Sequence, residues 1–167
     1  MLRFVEFIDK TSDLIGKAAS YLLLITVAAC MIEVVLRYIF NSPTKWSYEV
    51  EAFSCGIIYL LVGAHVLLHR GHVSVDILYQ RLSERKKILI NIVVVFPLII
   101  IMAAGLTYIG FDYFWTSLAI RETSYSSWSP PIWPIKLMIP VGGVLMMLQA
   151  VANLLRDLHK LRGGDKS

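Results

Sequence analysis

Polar residues along this chain gather into clusters, and between the clusters lie four long apolar runs, at about 17–40, 43–68, 88–115 and 132–155. Each run is long enough for a helix to cross a hydrocarbon core about 30 Å thick, for which about 20 residues suffice. None alternates apolar with polar residues as a barrel strand does. In lipid every backbone group needs a partner within the protein, so the runs are predicted to be helices. The fold class is therefore an all-α integral membrane protein with four transmembrane helices packed as a bundle.

The flanks are amphipathic. Within residues 1–16, Phe4, Val5 and Ile8 fall on one side of a helix and Arg3, Glu6 and Lys10 elsewhere, the pattern of a short helix lying in the headgroup region. A second interfacial helix is predicted in VDILYQRLSERKK, where Val75, Ile77, Leu78 and Leu82 interleave with Gln80, Arg81, Glu84 and Arg85. The domain reading is an interfacial helix at 1–16, a transmembrane domain at 17–155 and a basic tail at 156–167. VAAC, ending at Cys30, has the look of a lipoprotein cleavage box, but both charge signs precede the run and apolar sequence continues past it. A retained first span is expected.

Composition agrees with a membrane chain: 57% of 167 residues are hydrophobic and 17% charged. The net charge of +4 is unevenly placed. Arg3, Lys10 and Lys17 flank the first run, Arg70 to Lys87 come after the second, and Arg156 to Lys166 close the chain, whereas the opposite side holds mainly Lys45 and Arg121. This bias predicts that the N and C termini are both cytoplasmic. The basic flanks suit anionic headgroups of the lipid bilayer, and no nucleic acid partner is expected.

The stretch RYIFNSPTKWSYEVE, residues 37–51, puts ions at the first hairpin. Asn41, Ser42 and Pro43 read as a tight turn, with Ser42 as N-cap and Pro43 at the first helical position of the second span. Trp46 falls at the interface depth that indole prefers. Arg37 lies at a height to meet Glu49 across the hairpin, and Glu33, four residues before it on the same face, is a second partner. A carboxylate at the depth of Glu33 is costly unless paired or protonated. Glu33, Arg37 and Glu49 are read as locks between helices, with contact to a partner subunit or an ion or proton role as alternatives; Glu51 has no assigned role.

His65, His69, His72 and Asp76 are spaced i, i+4, i+7 and i+11, which on one unbroken helix would align four metal ligands. Gly71 is a helix terminator and Arg70 opposes a divalent cation, so no metal is expected there. His69 and His72 are placed at the interface and Asp76 in a polar contact that fixes the loop. A haem anchor needs histidines on facing helices, whereas His65 and His69 share one. No cofactor and no catalytic constellation is expected. Cys30 and Cys55 fall at comparable depth, but buried thiols mostly serve as small apolar fillers.

The segment 112–131 is longer than a helical hairpin requires. It carries Arg121, Glu122, Tyr125 and Trp128; rings nearest the helices read as an aromatic belt, and the segment as a docking surface for a periplasmic partner. Gly56, Gly63, Ala103, Gly105, Gly142 and Gly143 permit close helix approach, and Pro97 and Pro140 can kink their helices.

Arg37-Tyr-x-Phe40-Asn41, then Trp46-Ser-x-Glu49, then Arg70-x-His72-Val-x-Val-Asp76, and PPIWPIKLMIPVGGVLMMLQ in the last run together resemble the DctQ family. These are small membrane subunits of tripartite ATP-independent periplasmic (TRAP) transporters. The resemblance implies a nonenzymatic subunit of a bacterial or archaeal inner membrane. Its implied partners are a large many-helix membrane subunit, which binds sodium and substrate, and a periplasmic substrate-binding protein, together taking up an organic acid. It also implies that Arg37, Asn41, Trp46, Glu49, His72, Asp76 and Pro140 are fold and assembly residues. A haem- or quinone-binding anchor and an autonomous small carrier are the competing classes.

Overall fold

In a computed structural model, residues 2–69 and 83–162 are described. Helix α1 (Leu2–Tyr38) is followed by α2 (Ser47–Leu68), by α3 (Glu84–Ile90), which runs through a π-helical turn (Asn91–Val95) into α4 (Phe96–Ala119), and by α5 (Trp133–Arg162). Four rods, Val5–Tyr38, Ser47–Leu68, Lys86–Ala119 and Trp133–Leu161, are long and apolar enough to cross a membrane. The chain is an all-α, four-span membrane protein.

The four helices pack as expected, and within the bundle the rods form an open row. α1 packs on α2, α2 on α5 and α5 on α4, while α1 reaches α5 only slightly and makes no substantial contact with α4. Two adjacent glycines put α5 in the middle. A Cβ on Gly142 would fall 2.7 Å from the Leu60 carbonyl oxygen of α2, and one on Gly143 2.5 Å from Thr107 Oγ1 and 3.0 Å from the Ala103 oxygen of α4. Neighbouring positions on a helix point about 100° apart, so the pair admits one backbone on each side. Long apolar side chains therefore remain uncovered, among them Tyr21, Leu24, Ile25 and Met31 on α1 and Leu98, Ile101 and Met102 on α4.

Several boundaries differ from those read in the sequence. Residues 1–16 do not form a separate surface helix: α1 is continuous from Leu2 to Tyr38. The apolar side assigned to headgroups is buried instead, Val5 and Ile8 clustering with Ala152 of α5. Likewise α5 runs past residue 155 to Arg162, because the first turn of the basic tail packs against α1. The second helix starts at Ser47, with Trp46 at the N-cap, so Ser42 and Pro43 belong to the loop. The third rod begins at Glu84 and ends at Ala119, beyond both expected limits.

Its π turn has a local cause. The Phe96 N–H donates to the Asn91 carbonyl, five residues back. Pro97 comes next, with no N–H and a ring that crowds the preceding turn, and the wide turn relieves that crowding. Pro140 lies inside α5 and is buried, with the Cβ position of Gly110 only 2.9 Å from its nitrogen.

Candidate functional site

Polar side chains collect at the two ends of the row. The loop end carries residues 39–46 and 120–132; the terminal end carries the start of α1, the end of α2 and the end of α5.

At the loop end the centre is Glu33, buried at 7% exposure. Arg37 donates to its Oε1 from Nε at 3.0 Å and Nη2 at 2.6 Å. The Thr44 N–H donates to Oε2 at 3.0 Å, and the Thr44 hydroxyl donates to the same oxygen. The Ser47 N–H in turn donates to Thr44 Oγ1 at 3.3 Å, so one free N–H at the start of α2 is satisfied by the loop residue Thr44, two positions before the N-cap, and not by Ser42. One carboxylate thus ties the last turns of α1 to the first turn of α2.

The expected Arg37–Glu49 pair does not form. With α2 starting at Ser47, Glu49 falls in its first turn, is buried, and accepts from the Ser124 hydroxyl. Glu49 therefore joins the two loops. Asn41, three residues past the end of α1, has φ of 50°, a left-handed conformation that asparagine tolerates better than most residues. The Ser42 N–H beside it closes back on the Leu36 carbonyl at 3.0 Å. Trp46 is half-buried at the head of α2.

The segment after α4 is an ordered hairpin. Thr123 and Pro131 pair as an antiparallel bridge, Ser124 N–H donates to Pro130 O at 2.9 Å, and Ile132 N–H to Glu122 O at 3.0 Å. Its tip turns on Ser126, whose Oγ accepts from the Trp128 and Ser129 N–H groups at 3.1 and 3.2 Å. Arg121 and Ser129 both take φ of 48°. Glu122 is not a free docking charge: Lys136 of α5 donates to its carboxylate and lies 5.9 Å from the Tyr113 ring centre. That ammonium holds the Glu122 carboxyl below its ordinary range. Tyr125 is fully exposed, and Arg121 and Trp128 are exposed beside it.

The terminal end holds a network that the sequence reading missed. Ser12 Oγ donates to Gln149 Oε1 at 2.7 Å, and Gln149 Nε2 donates to Asp9 Oδ1 at 3.0 Å. Asn153 Nδ2 donates to the Leu67 carbonyl at 2.8 Å, and Arg156 bridges Asn153 Oδ1, at 3.0 Å, to Asp9 Oδ2. Gln149 and Asn153 are essentially inaccessible. The signal was available: Gln149, Asn153 and Asp157 recur every four residues in MMLQAVANLLRD, a polar stripe on an otherwise apolar helix.

His65 and His69 face Asp13 at this same end. His72 and Asp76, and most of the second interfacial helix, lie outside the described residues. Cys30 and Cys55 are free thiols. The two ends act as joints: charges and amides in them bind helix to helix and loop to helix.

No curated protein matches the chain. The family model described as tripartite ATP-independent periplasmic transporters, DctQ component, matches residues 25–160. That range reaches all four membrane-spanning rods, both joints of the loop end and the amides of α5. The chain therefore belongs to the DctQ family, as the small membrane component of a tripartite ATP-independent periplasmic transporter.

Proposed function

We propose that this subunit is a scaffold. It holds the static part of a large, sodium-coupled, many-helix membrane subunit in a bacterial or archaeal inner membrane, with both termini in the cytoplasm. The hairpin at 120–132 offers a docking surface to a periplasmic substrate-binding protein during uptake of an organic acid. The observation that carries this reading is the open row. Its charges and amides are joined mainly near the two ends, the stretch between is mostly apolar with Thr26 and Thr107 bonded back to their own helices, and broad sides are left uncovered. A row whose described residues enclose no polar path makes a poor conduit but gives wide support to a polytopic partner. Gly56 and Gly105, with open space where a Cβ would stand, add shallow seats for a neighbouring helix.

Affinity purification from the native membrane after gentle extraction tests the proposal. A large polytopic protein in stoichiometric amount is the expected companion. A lone chain that carries substrate in liposomes, or that shows a Soret band, would overturn it. Replacing Tyr125 and Trp128 by Ala should weaken uptake at limiting binding protein while leaving the large subunit attached.

A further inference from the structure

We infer that Asp13, His65 and His69 form a site for a divalent transition ion of the zinc type, clasping α1 to α2. Each offers one donor atom, and the three donors lie within 4.8 Å of one another. A tetrahedral ion with bonds of about 2.0–2.1 Å wants its ligands roughly 3.3 Å apart, so the donor separations must close by up to about 1.5 Å, shared among side chains that are all partly exposed. Three protein ligands of one carboxylate and two imidazoles leave a fourth position for water, a donor set that borderline-soft divalent ions favour.

Three details point to a ligand rather than to a chance cluster. His65 Nδ1 is shielded from solvent without a hydrogen-bond partner, and Asp13 Oδ1 faces it from 3.9 Å, too far for a hydrogen bond. His69 Nδ1 lies 3.1 Å from the His65 carbonyl oxygen. Donation to that carbonyl fixes the tautomer with Nε2 unprotonated, which is the orienting contact that metal-bound histidines usually have. Finally, the two oxygens of Asp13 are divided: Oδ2 accepts from Lys17 at 2.7 Å, leaving Oδ1 turned to the imidazoles. Lys17 is itself largely exposed, so its ammonium can swing away from an arriving cation.

Gly16 makes the arrangement possible. A Cβ there would fall 2.3 Å from His65 Cγ and 2.4 Å from Nδ1, so only glycine lets this ring lie against α1. The site also differs from the single-helix alignment of histidines with Asp76. Its acid comes from the first helix, 52 positions before His65.

The test uses the full chain in detergent, purified through a tag without histidine and stripped by chelator. Equilibrium dialysis against Zn2+ should give one ion per chain, and Co2+ should give the intense visible d–d absorption of tetrahedral coordination. Asp13→Asn and His69→Ala should each weaken Zn2+ binding at least tenfold, Gly16→Ala should weaken it without removing a donor, and His159→Ala should leave it unchanged. Zn2+ should raise the thermal midpoint of the parent chain but not of the variants. Their midpoints without metal show whether they remain folded. Absence of stoichiometric binding would overturn the inference, as would binding that survives Asp13→Asn but is lost in His72→Ala.

Discussion

The two ends of the row solve the same problem with different chemistry. At the loop end the partners are charged and near one another in sequence, Glu33 with Arg37 and Thr44, and Arg37 remains 54% exposed along its side chain. At the terminal end the central groups are two buried neutral amides of α5, Gln149 and Asn153, which reach Ser12 and Asp9 of α1 and the Leu67 carbonyl of α2, with Ser12 and Gln149 separated by 137 positions. The Glu33 carboxylate is buried, but the Arg37 guanidinium stays largely in reach of solvent, which discounts the net gain from the pair. A buried amide that loses its partner bears the desolvation cost in full. The loop-end joint therefore shapes a hairpin, whereas the terminal-end joint fixes the axial register of three helices.

The contrast breaks most clearly at Asn153. Asn153→Leu removes the side-chain donor of the Leu67 carbonyl and a partner of Arg156. An expected loss of about 2–3 kcal/mol, from unsatisfied buried groups, should appear as a large drop in the thermal midpoint in detergent. Gly143→Ala comes next, pressing a methyl onto Thr107 and the Ala103 carbonyl. Overpacking of this kind costs about 1–3 kcal/mol, and it should part α4 from α5 while both joints stay intact, as read by crosslinks between engineered cysteines. Glu33→Gln should have a smaller effect on the midpoint. It should nonetheless loosen residues 39–46, seen as faster hydrogen exchange there and not in α5; equal loosening of both ends would refute the division proposed.

The smallest effect concerns Glu122 and Lys136. The folded Glu122 carboxyl titrates below its ordinary value of 4.5, with Lys136 as the main cause. Stability from the pair is thus fully present above that value and is lost as pH falls through the lower folded value. The hairpin at 120–132 should become more susceptible to protease in that acid window, and Glu122→Gln should remove the pH dependence.

Much of the fold was legible because hydrocarbon imposes length and continuity: four apolar runs could become only four helical rods. Which rods touch was not legible, since glycine spacing shows that helices approach but not which ones. Arg37 and Glu33 were within reach of sequence reasoning as an i, i+4 pair. The partner of Glu49 was not, because Ser124 comes from a distant loop whose path no periodicity describes. Residues 1–16 misled for a related reason. An amphipathic pattern shows that one face seeks apolar surroundings, and α5 satisfies that need as well as a bilayer does. Gln149 and Asn153 were passed over amid apolar neighbours, where a stripe of isolated amides reads as sparse polarity.

The π turn at Asn91–Val95 has a bearing on how this chain can vary. A wide turn holds one residue more than regular winding needs, so the part of the rod beyond it is rotated by about a fourth of a revolution relative to an uninterrupted helix. Removing one residue between 91 and 95 would rewind the turn and leave α4 in its present phase against α5, with the crowding by the Pro97 ring restored. The same deletion elsewhere in that rod would misalign every later side chain. The third rod thus has one position where a single codon can be lost without scrambling the packing of α4.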